Sequence, residues 1–196
     1  MRILSSENDF DTSVLKALEE IDPEYHKYHG LLAVGSHTPV DLDFKLEKLK
    51  EARENKIPTL GICLGMQMMV IEYARNILRL QLANSTEVDP KSKYQVIHKL
   101  NKLRVGIKPV IWNNIKTMES HWHNYWFNNY YKDRYMEDWD MSFSGGILEV
   151  MRLKGHPHFL GIQFHAEYQS SKEKPHPILV EFVEQCKSFN ADGLHR

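Results

Sequence analysis

Two short apolar runs, each leading directly into a helix-like segment, set the strongest limit on how this chain can fold. HGLLAVG (residues 29–35) and IPTLGI (57–62) are too short for buried helices and show no polar alternation, so they read as strands covered on both faces. After the first, DLDFKLEKLKEARENK (41–56) puts Leu42, Leu46, Leu49 and Ala52 on one face with charge opposite, an amphipathic helix. After the second, LGMQMMVIEYARNIL (64–78) is a more apolar helix. Ahead of both, MRILSS reads as a strand and DFDTSVLKALEEI as a helix, with Val14, Ala17, Leu18 and Ile21 behind Asp11 or Thr12 as cap. Parallel neighbours can be joined only by a crossover, so this alternation predicts an α/β fold with helices on both faces of a mainly parallel sheet.

The second half is less regular. VIHKLNKLRV and KPVIWNNIKTM read as strands or extended segments, SFSGGILEVMRL and HFLGIQFH as strands joined through KGHPH, and ILVEFVEQCKSF as a closing helix. With no internal repeat, low-complexity segment or linker, residues 1–196 read as a single domain.

Charge narrows the function. Lys plus Arg number 25 against 26 for Asp plus Glu, a balance that argues against a partner as anionic as nucleic acid. The apolar runs are far shorter than a membrane span, and the N-terminus lacks the basic segment and apolar core of a secretory signal. Cys63 and Cys186 are the two cysteines, expected to be reduced in a cytoplasmic protein. His121-x-His123 and His156-x-His158 have spacings that metal ligands use, but the second pair lies in a turn-like segment. The aromatic run from Trp122 to Trp139 reads as core or interface rather than as a base-stacking platform.

One cysteine stands at a corner. Gly61-Ile62-Cys63-Leu64-Gly65 has the form of a nucleophile on a tight strand-to-helix turn, where close neighbours demand glycine. Unpaired N–H groups at a helix start favour a thiolate there, and that of Leu64 points to where an oxyanion would form. The competing reading is a small core residue at a close-packed corner. A nucleophilic cysteine needs a base and the base an orienter. Far downstream, His165 and Glu167 lie two apart just past an apolar strand and point the same way.

GICLGMQ followed by a distant FHAEY resembles the class I glutamine amidotransferases. IPTLGICLGMQMMVIEYARNIL, ANSTEVDP, LRVG, ESHWHNYWFN and HPHFLGIQFHAEYQS are similar to the glutaminase domain of the CTP synthase family, over residues 31 to 189, and ANSTE (83–87) is particular to it. The resemblance implies a three-layer α/β sandwich, trimmed at its N-terminal edge. It implies Cys63 as nucleophile, His165 as base and Glu167 as its orienter, with Gln67 and Glu87 on the polar groups of glutamine and Glu87 facing the α-ammonium. It implies no cofactor and no metal.

The departures from the family pattern matter as much. The glycine-rich oxyanion loop, PGGFG in the family, is VGSHT here, leaving Gly35 and Ser36 as the expected N–H donors beside Leu64. The family's ERHRHRYEVN is ESHWHNYWFN, so Ser120, Trp122 and Asn124 stand where the family has arginines, one of which binds the α-carboxylate, and Trp122 and His123 are the expected substrate contacts there. The segment between the first helix and HGLLAVG is short, and no phosphate-binding G-x-x-x-x-G-K-[ST] occurs. The expected activity is cysteine-dependent cleavage of the side-chain amide of glutamine, or of a γ-glutamyl conjugate, through a γ-glutamyl thioester. A separate synthetase or other ammonia-accepting protein is the expected partner. The alternative is a weak or inactive amidotransferase-like domain that serves as a binding or regulatory partner.

Overall fold

Alternate residues of each short strand feed opposite sides of one sheet, and this divides the core in two. The computed structural model describes residues 1–4, 9–35 and 41–193. The main sheet comprises β1 (Arg2–Leu4), β2 (Leu31–Ala33), β3 (Thr59–Ile62), β7 (Trp139–Ser144), β8 (Ile147–Leu153) and β9 (Phe159–Ile162). Their spatial order is β1-β2-β3-β9-β8-β7, parallel from β1 through β9 and antiparallel from there to β7. The expected α/β architecture with a mainly parallel sheet is therefore present, as a mixed sheet.

Leu31 and Ala33 pack with Leu46, Leu49 and Ala52 of α2 (Leu42–Glu54) and with Met66, Met69 and Val70 of α3 (Leu64–Asn76). Leu32, Leu60 and Ile62 face the other way, onto Val14 and Leu18 of α1 (Asp9–Ile21) and Ile178, Phe182 and Val183 of α5 (Pro177–Gly193). This is the two-sided cover that apolar parallel strands require. Between α2 and α3, the Arg53 guanidinium forks onto the fully buried Glu72 carboxylate at 2.8 and 3.0 Å, so that charge is paired.

A second sheet stands over the end of α3, with β4 (Ala83–Ser85), β5 (Tyr94–Trp112) and β6 (Ile115–Phe127) in that order. The sequence reading runs residues 108–118 together as one segment. The chain instead reverses at Asn113 and Asn114, whose φ values of 50° and 61° make the left-handed corner that a two-residue hairpin prefers. β7 and β8 are joined in the same way through Gly145 and Gly146, at φ 58° and 82°.

Along β6, Glu119, His121 and His123 point inward and are buried, while Trp122 and Asn124 are exposed. The aromatic run divides accordingly. Trp139 is buried edge-on to Tyr73, Trp126 stacks on His98, and the Trp122 indole is 52% exposed. A short helix, α4 (Lys132–Met136), follows β6.

Candidate active site

The register between β3 and β9 decides which residues meet. Gly61 pairs with Gly161 and Ile62 with Ile162, and the Cys63 N–H donates to the Ile162 carbonyl at 2.8 Å. Cys63 and Gln163 therefore leave the sheet side by side at the carboxyl ends of parallel strands, where α/β folds place their ligands.

Cys63 is the residue before the first turn of α3, at φ 55° and ψ −108°. That is the first corner of a II′-type turn, a conformation that glycine prefers and a Cβ penalises by about 1–3 kcal/mol. The glycines around it are fixed by contact. A Cβ on Gly65 would sit 2.0 Å from the Ala33 carbonyl oxygen, and one on Gly61 would meet the backbone of Gly65 and Met66 at 2.9 Å. The helix start is thus pressed against β2, and the Leu64 N–H, first in α3, has no acceptor within its helix.

Three groups converge on the sulfur. His165 interacts with it electrostatically. The Gln163 amide donates to it at 3.7 Å, and the Trp122 carbonyl accepts from it at 3.8 Å. The imidazole Nδ1 of His165 lies 2.7 Å from Glu167 Oε1, and both residues are buried. The His165 backbone is held by the Ser120 carbonyl at 2.8 Å. Burial pushes the His165 ring toward its neutral form, but the pull of the Cys63 sulfur and the hydrogen bond to Glu167 outweigh it and raise its pKa to about 10.

His123 is the opposite case. Its Nδ1–H donates to the Tyr125 carbonyl at 3.0 Å, and Nε2 is buried with no hydrogen-bond partner among the described residues. Burial lowers its pKa to about 3, so the ring is neutral.

Gln67 lies inside the same cluster. Its amide nitrogen donates to the Tyr125 carbonyl at 3.0 Å and to Gln163 Oε1 at 3.3 Å. Glu87 follows β4, half-buried, and burial raises its pKa against the opposing pull of Lys99. Its charge is felt at Tyr125, the residue whose carbonyl Gln67 holds. Gly35 is buried just past β2, whereas Ser36 lies outside the described residues. Trp122 meets Cys63 through its carbonyl, with its indole turned toward solvent.

Two features escape sequence reasoning. Gln163 carries no titratable signal, although its spacing of two from His165 after a strand puts it on the same side. The second is the pairing of Arg104 on β5, engaged by the buried Glu149 at 2.6 Å, while Glu149 also meets His121 Nε2 at 3.0 Å. The other cations close in sequence are elsewhere, with Lys132 over the Phe143 ring and Arg134 exposed on α4.

The family model for glutamine amidotransferase class-I matches residues 5–185. The CTP synthase of Christiangramia forsetii is 38% identical over 179 residues, which cover 79% of this chain and 33% of that protein. The CTP synthase of Aquifex aeolicus is 37% identical over 203 residues, covering 90% of this chain and 38% of that one. The chain thus spans little more than a third of the length of these relatives. Among solved structures, the glutaminase domain of Trypanosoma brucei CTPS with bound acivicin superposes with a TM-score of 0.83 over 95% of this chain and 91% of that one, at 23% identity, a likeness of fold. The match over most of its length and the identity to these relatives place the chain in the class I glutamine amidotransferase family.

Proposed function

We propose that this chain is a cysteine-dependent amide hydrolase of the glutamine amidotransferase type, acting on the side-chain amide of glutamine or of a γ-glutamyl conjugate. The observation that carries the reading is the convergence of Cys63, at the elbow, with the buried His165, whose Nδ1 is held 2.7 Å from Glu167 Oε1 and whose protonated form both neighbours favour. A histidine that merely filled the core would be pushed the other way, as His123 is.

The chemistry follows from that placement. The Cys63 sulfur attacks the amide carbon, a C–S bond forms, and the carbonyl π electrons move to oxygen. The Leu64 N–H, with an N–H from the segment at Gly35 and Ser36, holds that oxyanion. The carbonyl re-forms, the C–N bond breaks, and His165 gives its proton to the leaving nitrogen. The now neutral imidazole takes a proton from water as the water oxygen attacks the thioester, and sulfur departs with the electrons of the C–S bond. Glu167 holds the ring with Nδ1–H toward itself, so the other nitrogen is left to work on sulfur, leaving group and water.

Glutamine is the first substrate on this reading, with Glu87 toward its α-ammonium. A γ-glutamyl conjugate is the second, because no arginine stands on β6 and Arg104 is already paired with Glu149. A protein partner that consumes the ammonia, a synthetase or comparable acceptor, also fits. Val105, Ile107, Met118 and Trp122 are all exposed along the β5–β6 ribbon, with Lys102 and Lys116 beside them.

The test incubates purified protein and Cys63→Ala with glutamine and a panel of γ-glutamyl amides. Mass spectrometry reads glutamate, released amine and the γ-glutamyl adduct on Cys63. Cys63-dependent turnover of glutamine establishes a glutaminase, and turnover of conjugates alone moves the substrate to that class. No turnover and no adduct with any substrate removes the enzyme reading. The non-catalytic binding or regulatory domain is then what remains.

A further inference from the structure

We propose that Gln163 is a further catalytic residue, whose side-chain amide donates to the Cys63 sulfur and stabilises it as the attacking thiolate, and that Gln67 locks that amide in the donating orientation. The inference deepens the reading of Cys63 as a nucleophile and rests on it.

The orientation of a glutamine amide is fixed by its partners, and here a chain of partners leaves one solution. The Tyr125 carbonyl can only accept, so Gln67 presents its NH2 group there, at 3.0 Å. The same nitrogen faces Gln163 at 3.3 Å, so Gln163 turns its oxygen toward Gln67. The Gln163 nitrogen is thereby aimed at Cys63 Sγ, 3.7 Å away. Gln163 is fully buried and its backbone N–H is tied to the Glu149 carbonyl at 2.9 Å, so the amide has no water to turn to.

The sulfur consequently lies between a donor and an acceptor. As a thiol it gives its hydrogen to the Trp122 carbonyl at 3.8 Å. As a thiolate it repels that carbonyl and takes the Gln163 N–H, a charge-assisted bond stronger than its neutral counterpart. The two partners therefore favour different protonation states, the Trp122 carbonyl the thiol and the Gln163 amide the reactive thiolate. A further consequence concerns substrate recognition. Both Gln67 N–H groups are used within the cluster, which leaves Oε1 as the atom it can offer a ligand. That atom accepts from an ammonium and cannot bind a carboxylate.

The experiment is site-resolved alkylation of Cys63 by iodoacetamide in the full chain, followed by mass spectrometry from about pH 6 to about pH 10. Buried Cys186 in the same molecule reports whether the variant is folded. Gln163→Leu is expected to slow Cys63 alkylation about tenfold near neutral pH, the loss shrinking in alkali where the thiol ionises without help. Gln67→Leu is expected to give a smaller loss in the same direction, since the freed amide can rotate.

An unchanged rate in Gln163→Leu with Cys186 still protected overturns the proposal. So does a loss that stays constant with pH, which marks a displaced sulfur and not a destabilised thiolate. If Gln163→Leu exposes Cys186, Gln67→Leu decides together with the side-chain amide resonance of Gln163 in the wild type. That resonance should move with pH in the wild type and stay fixed in Cys63→Ala, and equal behaviour in both overturns the proposal. Alkylation needs no amide substrate, so a chain that shows the Gln163 effect without hydrolysing glutamine or any γ-glutamyl amide loses the enzyme reading alone. One that hydrolyses glutamine without the Gln163 effect loses this proposal alone.

Discussion

His165 Nδ1 stands 2.7 Å from Glu167 Oε1, two residues further along the chain, with both side chains buried. The short 3-10 turn that begins at Ala166 makes the pairing possible, because it folds Glu167 back beside the ring instead of carrying it away. Glu167→Gln keeps the shape and removes the charge that holds the ring proton. The expected result is a fall in kcat of about 10²-fold or more with KM little changed, read from ammonia release. A kcat within a few fold of wild type would mean that Glu167 only packs.

The Cys63 corner predicts an unusual order of stabilities. At φ 55° and ψ −108° any Cβ is strained, so Cys63→Gly should be more stable than Cys63→Ala by about 1 kcal/mol, against the usual order in which glycine is the worse residue. Urea denaturation of the two variants side by side measures it. If alanine is the more stable, the corner is not strained in solution.

Gly65 gives the steric counterpart. Its absent Cβ would overlap the Ala33 carbonyl oxygen at 2.0 Å, and that oxygen belongs to a central strand that cannot retreat. Gly65→Ala must push α3 off β2, at a cost of about 3 kcal/mol or more, and move the Leu64 N–H with it. Thermal denaturation and alkylation of Cys63 should both respond, and a variant with wild-type stability would sink the argument.

The elbow was legible in the sequence because its signal is local: strand, Gly-x-Cys-x-Gly, helix. The same holds for the strand and helix alternation up to Asn76, where each element carries its own period. What escaped depends on distant pairing. β4 is three residues whose strand character exists only beside β5, and the reversal at Asn113-Asn114 lacks the glycine that usually marks such a turn. Cys63, His165 and Glu167 could be named from their types, but Gln163 could not. A glutamine after an apolar strand carries no charge, its spacing of two from His165 gives a side but no role, and its partner Gln67 lies 96 positions away in the chain.

The buried histidines set the acid limit of the fold. Burial lowers His123 to about 3 and His156 to about 4 from an ordinary 6.5, and lowers His158 as well. For His156 the geometry agrees, since its Nδ1 accepts the His158 N–H at 3.1 Å and a proton there would break that bond. The unfolded chain takes up these protons below about pH 6.5 while the folded chain refuses them, so stability falls as pH drops from 6.5 toward 4. His165 has the opposite sign. Its raised pKa contributes stability that is complete below 6.5 and lost as pH rises through about 10, so it does not share in the acid loss. His156→Gln keeps an oxygen to accept the His158 N–H and cannot titrate. It should recover about 1–2 kcal/mol at pH 5 relative to the wild-type loss, with little change at pH 8, measured by urea denaturation at both. An equal acid loss in variant and wild type would show that His156 is protonated as readily in the folded chain as in the unfolded one.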